Sequence, residues 1–238
     1  MAIRFLIPPA IDQHQIQLDA ERSHYLCRVL RKREGENIDC FDGQGGLYAA
    51  RILKASTKQV TLELQVEPRQ VAAPVPIIHL ALSILKGQAM DRALQQATEL
   101  GVTKITLLNA ARCNVALKAE RATNKLQHWQ KIIAGACEQC GQLFLPTLNA
   151  PVSVSEFIQG SATPCWVMDQ NGSPFPGQMT PQDITLLIGP EGGWDAAEQQ
   201  LFTDHQLPRL AIAPFTLRAE TAPAVALAVV NHAFQPTG

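Results

Sequence analysis

From Ile77 onward the chain alternates short apolar runs with longer stretches of helical periodicity. That alternation is the signature of a parallel sheet covered by helices on both faces, because parallel neighbours need a crossover between them. Strands are expected at Ile77–Leu85, Lys104–Leu108, Cys165–Met168, Ile184–Ile188 and Leu210–Ala213. Helices are expected at Ala89–Leu100, Glu120–Cys140, Asp195–Phe202 and Ala219–Phe234. Gly101 and Gly141 supply C-terminal stops, and Asp195 with Glu198 three residues on reads as a capping box.

The part before Ile77 follows another grammar. Ile3–Ile7, Ile16–Leu18, Asn37–Phe41, Leu47–Leu53 and Val60–Val66 read as strands, the last with clean period-two alternation. AERSHYLCRVL reads as an amphipathic helix with Asp19 as its N-cap and Gly35 as a plausible stop. Several strands around one helix suggest a small β-barrel. The proline-rich stretch ending at Pro76 then separates two domains, 1–70 and 77–238, through a linker at 71–76.

Apolar residues make up 46% of the 238, charged residues 17%, and the net charge is -1. Such a chain forms a sizeable core, and an RNA surface on it has to come from local clustering. The first residues lack the apolar core and cleavage site of a secretion signal, and no run approaches a membrane span, so a cytoplasmic location is expected. The six cysteines are scattered, and Cys137 and Cys140 lie on the same helical face as Leu126, Trp129 and Ile133. That spacing predicts reduced, core-facing thiols. Neither the cysteines nor the dispersed histidines have metal-ligand spacing, so no metal is expected.

In parallel sheets ligands bind at the carboxyl ends of strands, and three such ends carry chemistry. In TLLIGPEGGW an apolar strand runs into Gly189, Pro190, Glu191, Gly192 and Gly193. The loop is either a tight strand-to-helix turn or a ligand cradle. As a cradle it suits a neutral or cationic ligand, because the Glu191 carboxylate repels phosphate. In IAPFTLRAETAPAVAL, Arg218 and Glu220 are either a simple ion pair or a donor and an acceptor for a substrate edge. In LSILKGQAMDR, Lys86 follows a strand and is either functional or plain surface. Basic residues cluster as Arg28, Arg31, Lys32 and Arg33, with Arg4 and Arg22 near in sequence. The run is a solvated helix end or an RNA-binding face.

RFLIP, HYLCRVLRKREGE, ILKGQAMDRALQQATELGV, WQKIIAGACEQCG, LLIGPEGG and LRAETA occur in that order. Together they resemble the RsmE family of ribosomal RNA methyltransferases, within the SPOUT superfamily. The resemblance implies a PUA-like N-terminal barrel and an α/β SPOUT domain with a deep trefoil knot. It also implies a homodimer that binds S-adenosylmethionine in the knot and methylates N3 of one uridine in 16S rRNA of the 30S subunit, near the decoding centre. Carried onto this chain, Leu82, Ile188, Gly189, Pro190, Gly193, Ile212, Leu217 and Thr221 are expected at the methyl donor. Arg218, Glu220 and Glu191 are expected at the reacting atoms. Arg4, Arg22, Arg28, Arg31, Lys32, Arg33 and Lys86 are expected at the RNA. The family usually has a glycine and, two positions on, a basic residue just before its LR; this chain has Ala213 and Phe215. Two rivals remain: a knotted methyltransferase acting on transfer RNA, and a non-catalytic ribosome-associated RNA-binding protein.

Overall fold

The computed structural model describes residues 4–8, 14–64, 69–113 and 119–235. Expected strand residues Ile3, Gln65 and Val66 lie outside that set, as does Pro68. The chain forms two compact units, Met1–Ala73 with Cys137–Leu145, and Pro74–Ala136 with Pro146–Gly238.

The first unit is a six-stranded sheet. Its strands are β1 (Arg4–Leu6), β2 (Gln15–Gln17), β3 (Asn37–Phe41), β4 (Gly46–Ala55), β5 (Val60–Leu64) and β6 (Arg69–Gln70). The order is β1-β3-β4-β5-β2, with β6 paired to β4. Alternate positions of β5 (Val60, Leu62, Leu64) are buried with Phe5, Ile7, Leu26 and Ile52 in one core. That is the outcome period-two patterning demands when one sheet face is covered.

The expected single helix is two short elements. Asp19 caps α1 (Ala20–His24) through Arg22 N–H at 2.8 Å, and a π-helical turn then covers Tyr25–Val29. The helix ends before Gly35. Arg31 takes a left-handed backbone (φ 55°), and Lys32 N–H donates to the Leu26 carbonyl at 3.0 Å. Gly35, φ 85°, sits in the following turn.

A buried charge fixes this unit from within. Glu138 is 3% exposed. Its Oε1 accepts from Leu6 N–H at 2.8 Å and from the Arg22 guanidinium. Arg22 also donates to the Leu6 carbonyl at 2.8 Å and lies 3.9 Å from the centre of the Phe5 ring. Arg4 donates to the Gly141 carbonyl.

The second unit holds a six-stranded, wholly parallel sheet. Its strands are β7 (Ile78–Ser83), β8 (Lys104–Asn109), β9 (Thr147–Ser153), β10 (Cys165–Pro174), β11 (Ile184–Ile188) and β12 (Arg209–Ala211). The order is β12-β10-β11-β7-β8-β9. Every residue of β7 and β11 is buried, as expected for central strands covered on both faces. The helices are α2 (Gln88–Glu99), α3 (Ala119–Cys140), α4 (Val154–Gly160), α5 (Ala196–Asp204) and α6 (Ala222–Ala233). From β7 the chain steps outward through β8 to β9, then returns to build β10 and β11 on the other side. Strand order therefore reverses between β7 and β11, the kind of point where α/β sheets open a crevice.

β9 and α4 were not expected. α4 is seven residues long and closed by a Ser153–Glu156 capping box. Inside the sheet, His79 Nε2 lies 2.8 Å from Thr106 Oγ1, which also accepts from Asn149 at 2.9 Å. Burial, with Lys104 nearby, pushes His79 down to about 4, so it is neutral at physiological pH. All six cysteines are free thiols, and burial pushes Cys137 up to about 12. The expected inert, core-facing thiol fits Cys137, while Cys140 is only partly buried.

Candidate active site

A cavity of about 710 Å³ opens at the carboxyl ends of β11 and β12, beside the irregular middle of β10. Three segments wall it: Met168–Asn171 from β10, Ile188–Trp194 after β11, and residues from Ile212 to Ala222 leading into α6.

The β11 loop is shaped by its glycines. Gly193 has φ 68°, a conformation disfavoured for side chains with a Cβ. Its N–H donates to the Pro190 carbonyl at 2.9 Å and closes the turn. A Cβ on Gly189 would come 3.0 Å from the Trp194 ring, which lies beneath it edge-on to Phe202. Asp195 and Glu198 then cap α5 reciprocally. The second oxygen of Glu198 accepts from Ala111 N–H at 2.8 Å, and Arg112 donates to the Gly192 carbonyl at 3.1 Å. The loop after β8 thereby braces the glycine loop from the side.

On the β10 side the wall depends on Gly172. A Cβ there would lie 2.4 Å from the Arg209 carbonyl group, so only glycine permits this approach of β10 to β12. Next to it, Asp169 accepts two bonds from Arg209, one from Nε at 2.8 Å. That pair is only partly exposed, and Asp169 neutralises the Arg209 charge.

Nine expected residues line this cavity: Ile188, Gly189, Pro190, Glu191, Gly193, Ile212, Leu217, Arg218 and Glu220. Arg218 is exposed and Glu220 half-buried. Among the described residues no ion pair joins them, so the simple-pair reading does not describe this loop. Of the residues expected at the donor, Leu82 and Thr221 are not in the lining, and neither is Lys86, expected at the RNA. Leu82 is fully buried and pairs in register with Ile188, supporting the strand end from behind. Thr221 is exposed at the N-cap of α6. Lys86 is also exposed, and its backbone N–H points to Glu191 Oε1 at 3.4 Å, a long contact.

Asp169, Gln170, Asn171, Arg112 and Arg209 line the cavity and were missed. A usable signal existed, since Asp169–Gly172 is a polar run directly after an apolar strand. The basic residues expected at RNA divide into two groups. Arg28, Arg31 and Arg33 are exposed, and Lys32 is half-buried 4.0 Å from Glu36. Arg4 and Arg22 bond internally, as described above, which gives both a structural role. Among the described residues no group of three or more His, Cys, Asp or Glu is placed to hold a metal ion.

Residues 72–231 match the model of an RNA methyltransferase domain, and residues 18–65 that of an RNA methyltransferase PUA domain. Ribosomal RNA small subunit methyltransferase E of Synechocystis is 33% identical, covering 97% of this chain and 78% of that one. The protein of the same name from Bacillus subtilis is 29% identical, covering 90% and 89%. Two solved structures are also similar. A putative methyltransferase from Legionella pneumophila in complex with S-adenosylmethionine has 34% identity and TM-score 0.90, covering 98% of both chains. Ribosomal RNA small subunit methyltransferase E of Neisseria gonorrhoeae, bound to S-adenosylmethionine, has 30% identity and TM-score 0.85, covering 97% of both.

Proposed function

The chain belongs to the ribosomal RNA small subunit methyltransferase E family, and on that premise we propose that it methylates N3 of one uridine in 16S rRNA of the 30S subunit, near the decoding centre, using S-adenosylmethionine. The observation that carries the reading is the cavity at the ends of β11 and β12, lined by the glycine loop and by Arg218 and Glu220.

The residues present fit the donor. The volume falls within the roughly 300–1,000 Å³ of small-ligand sites. Met168, Ile188, Ile212 and Leu217 offer apolar surface for a nucleoside, and the Gly189–Gly193 backbone offers hydrogen-bonding groups. Glu191 in the loop suits a cationic sulfonium better than a polyphosphate. Leu82 and Thr221 would support this wall from outside the lining. The donor, when bound, supplies an electrophilic methyl group.

Everything else falls to the protein's own side chains. Uridine N3 carries a proton that has to leave before it can accept a methyl group, and Glu220 or Glu191 would take it. Arg218 would stabilise the negative charge spread over the uracil oxygens. Holding the base in line for transfer accounts for much of the remaining rate. Incubation with unmethylated 30S subunits and labelled donor should label 16S rRNA as 3-methyluridine. Label in transfer RNA alone would support the first rival, and binding to the subunit with no donor affinity would support the second.

The SPOUT knot and a homodimer are part of the same proposal. Support for the dimer comes from α6, where Ala228 is exposed and Val225 and Val229 on the same face are half-buried, an apolar strip that the chain's own core covers only in part. Among the described residues no helix is long and apolar enough to cross a membrane. A cytoplasmic location follows from the ribosomal substrate proposed.

RNA contact by the first unit rests on Arg28, Arg31, Arg33 and the adjoining Lys32, with Lys86 added from the second unit. Arg31 offers a test whose two readouts move in opposite directions. A left-handed backbone costs a residue with a Cβ about 1–2 kcal/mol. Arg31→Gly should therefore leave the fold equally stable or more stable by up to about 1 kcal/mol, some of the gain being offset by unfolded-state entropy. Affinity for 30S subunits should fall, and the salt slope should shrink by roughly one phosphate's worth of released counterion. Unchanged affinity in a stabilised variant would reduce Arg31 to a helix end.

A further inference from the structure

Phe215 is 81% exposed, and it is the one aromatic among the large hydrophobic residues left in solvent in the described part of the chain. The others are Val29, Val71, Val75 and Ile77, and none of them lines the cavity. Phe215 does. Singly exposed apolar residues are ordinary on protein surfaces. A phenyl ring held at the open rim of a reaction cavity, three residues from an exposed Arg218, is a different circumstance.

The loop that carries it is pinned on both sides. Before it, the Ala211 carbonyl accepts from Phe175 N–H at 3.1 Å. Beside it, Thr216 Oγ1 hydrogen-bonds to the side-chain oxygen of Gln170. After it, the Arg218 carbonyl accepts from Thr221 and Ala222 N–H at 2.9 and 3.0 Å. Phe215 therefore presents its ring from a fixed frame, which lowers the ordering cost of any contact made on it. Among the described residues it has no aromatic partner.

We propose that Phe215 is a stacking platform for an unpaired base of the RNA substrate at the rim of the methyl-transfer cavity. The inference rests on the methyltransferase reading above. A base that leaves its own stack loses a π-contact on each face. A phenyl face restores one of them for any base, while the neighbouring Arg218 guanidinium supplies hydrogen bonds to its edge. Phe215 would thus set RNA affinity and positioning, without touching the donor.

The test compares Phe215→Ala, Phe215→Leu and Phe215→Trp in the full chain with wild type. With unmethylated 30S subunits, Phe215→Ala should raise KM by about tenfold, the loss expected for one base–aromatic stack. Phe215→Leu should behave like Phe215→Ala, since it keeps apolar bulk without a π-face, and Phe215→Trp should keep wild-type KM. Titration of Phe215→Trp with single-stranded RNA should quench fluorescence beyond the wild-type background. Donor affinity and oligomeric state should not change in any variant. A wild-type KM in Phe215→Leu, a shifted donor Kd or a changed oligomeric state would overturn the proposal, pointing respectively to plain apolar packing, a donor contact or a second copy on the ring. Wild-type protein that methylates no 30S RNA would sink the functional reading instead, and the quenching titration would still decide whether bases stack on residue 215.

Discussion

Arg218→Ala is expected to lower turnover by roughly two orders of magnitude while leaving folding and donor affinity close to wild type. The magnitude is that of removing one preorganised donor from a charge that develops only in the transition state. The side chain is exposed, lines the cavity and has no ion-pair partner among the described residues. Its loss therefore strands no buried partner, and a merely structural role would move stability by no more than about 0.5 kcal/mol. Glu220→Gln separates two further roles. The amide keeps the shape of the carboxylate and removes its charge. If Glu220 takes the N3 proton, activity should fall and then recover in part as pH rises, because solvent hydroxide can remove the same proton. If it only orients neighbouring groups, the fall should show no such recovery. The check is single-turnover methylation of 30S subunits across pH, with donor affinity measured in parallel. Full activity in both variants would refute the assignment and move attention to Glu191 and Lys86.

The central strands of the second unit were legible because their neighbours on both sides are protein. A strand buried on two faces has to be mostly apolar, with any polar side chain bonded inside, and Ile78–Leu82 and Ile184–Ile188 show that composition, with His79 and Thr185 as the hydrogen-bonded exceptions. The glycine loop was legible because its conformation restricts the residue type, as Gly193 shows. Asp169–Asn171 were less legible. The strand pattern stops at Met168, but β10 continues to Pro174 with a register shift against β12 that only the paired structure reveals. The split of the first helix into α1 and a π-turn has the same character, since nothing in AERSHYLCRVL requires it. Arg4 and Arg22 mark the opposite limit. By composition they belong with the basic cluster, yet Arg22 is paired with a carboxylate 116 positions away. A long-range pair of this kind has no local signal.

That same pair carries the other large effect, now on stability. Glu138→Ala is expected to destabilise the first unit by about 3–5 kcal/mol, the usual consequence of removing one member of a buried ion pair. The carboxylate is almost fully enclosed. Its removal leaves Leu6 N–H without its acceptor and the Arg22 guanidinium, itself 28% exposed, without its counter-charge. Burial, more than any nearby charge, also pushes the neighbouring Cys40 thiol up to about 12. Glu138→Gln should cost less, because the amide oxygen still accepts from Leu6 and Arg22. Arg22→Ala tests the pair from the other side, because it leaves the buried Glu138 carboxylate without its counter-charge, and its cost should approach that of Glu138→Ala. Hydrogen exchange of the β1 and β3 amides, read against urea, measures all three variants in one unit. A cost below about 1 kcal/mol in every variant would show that Glu138 and Arg22 are neighbours without being coupled.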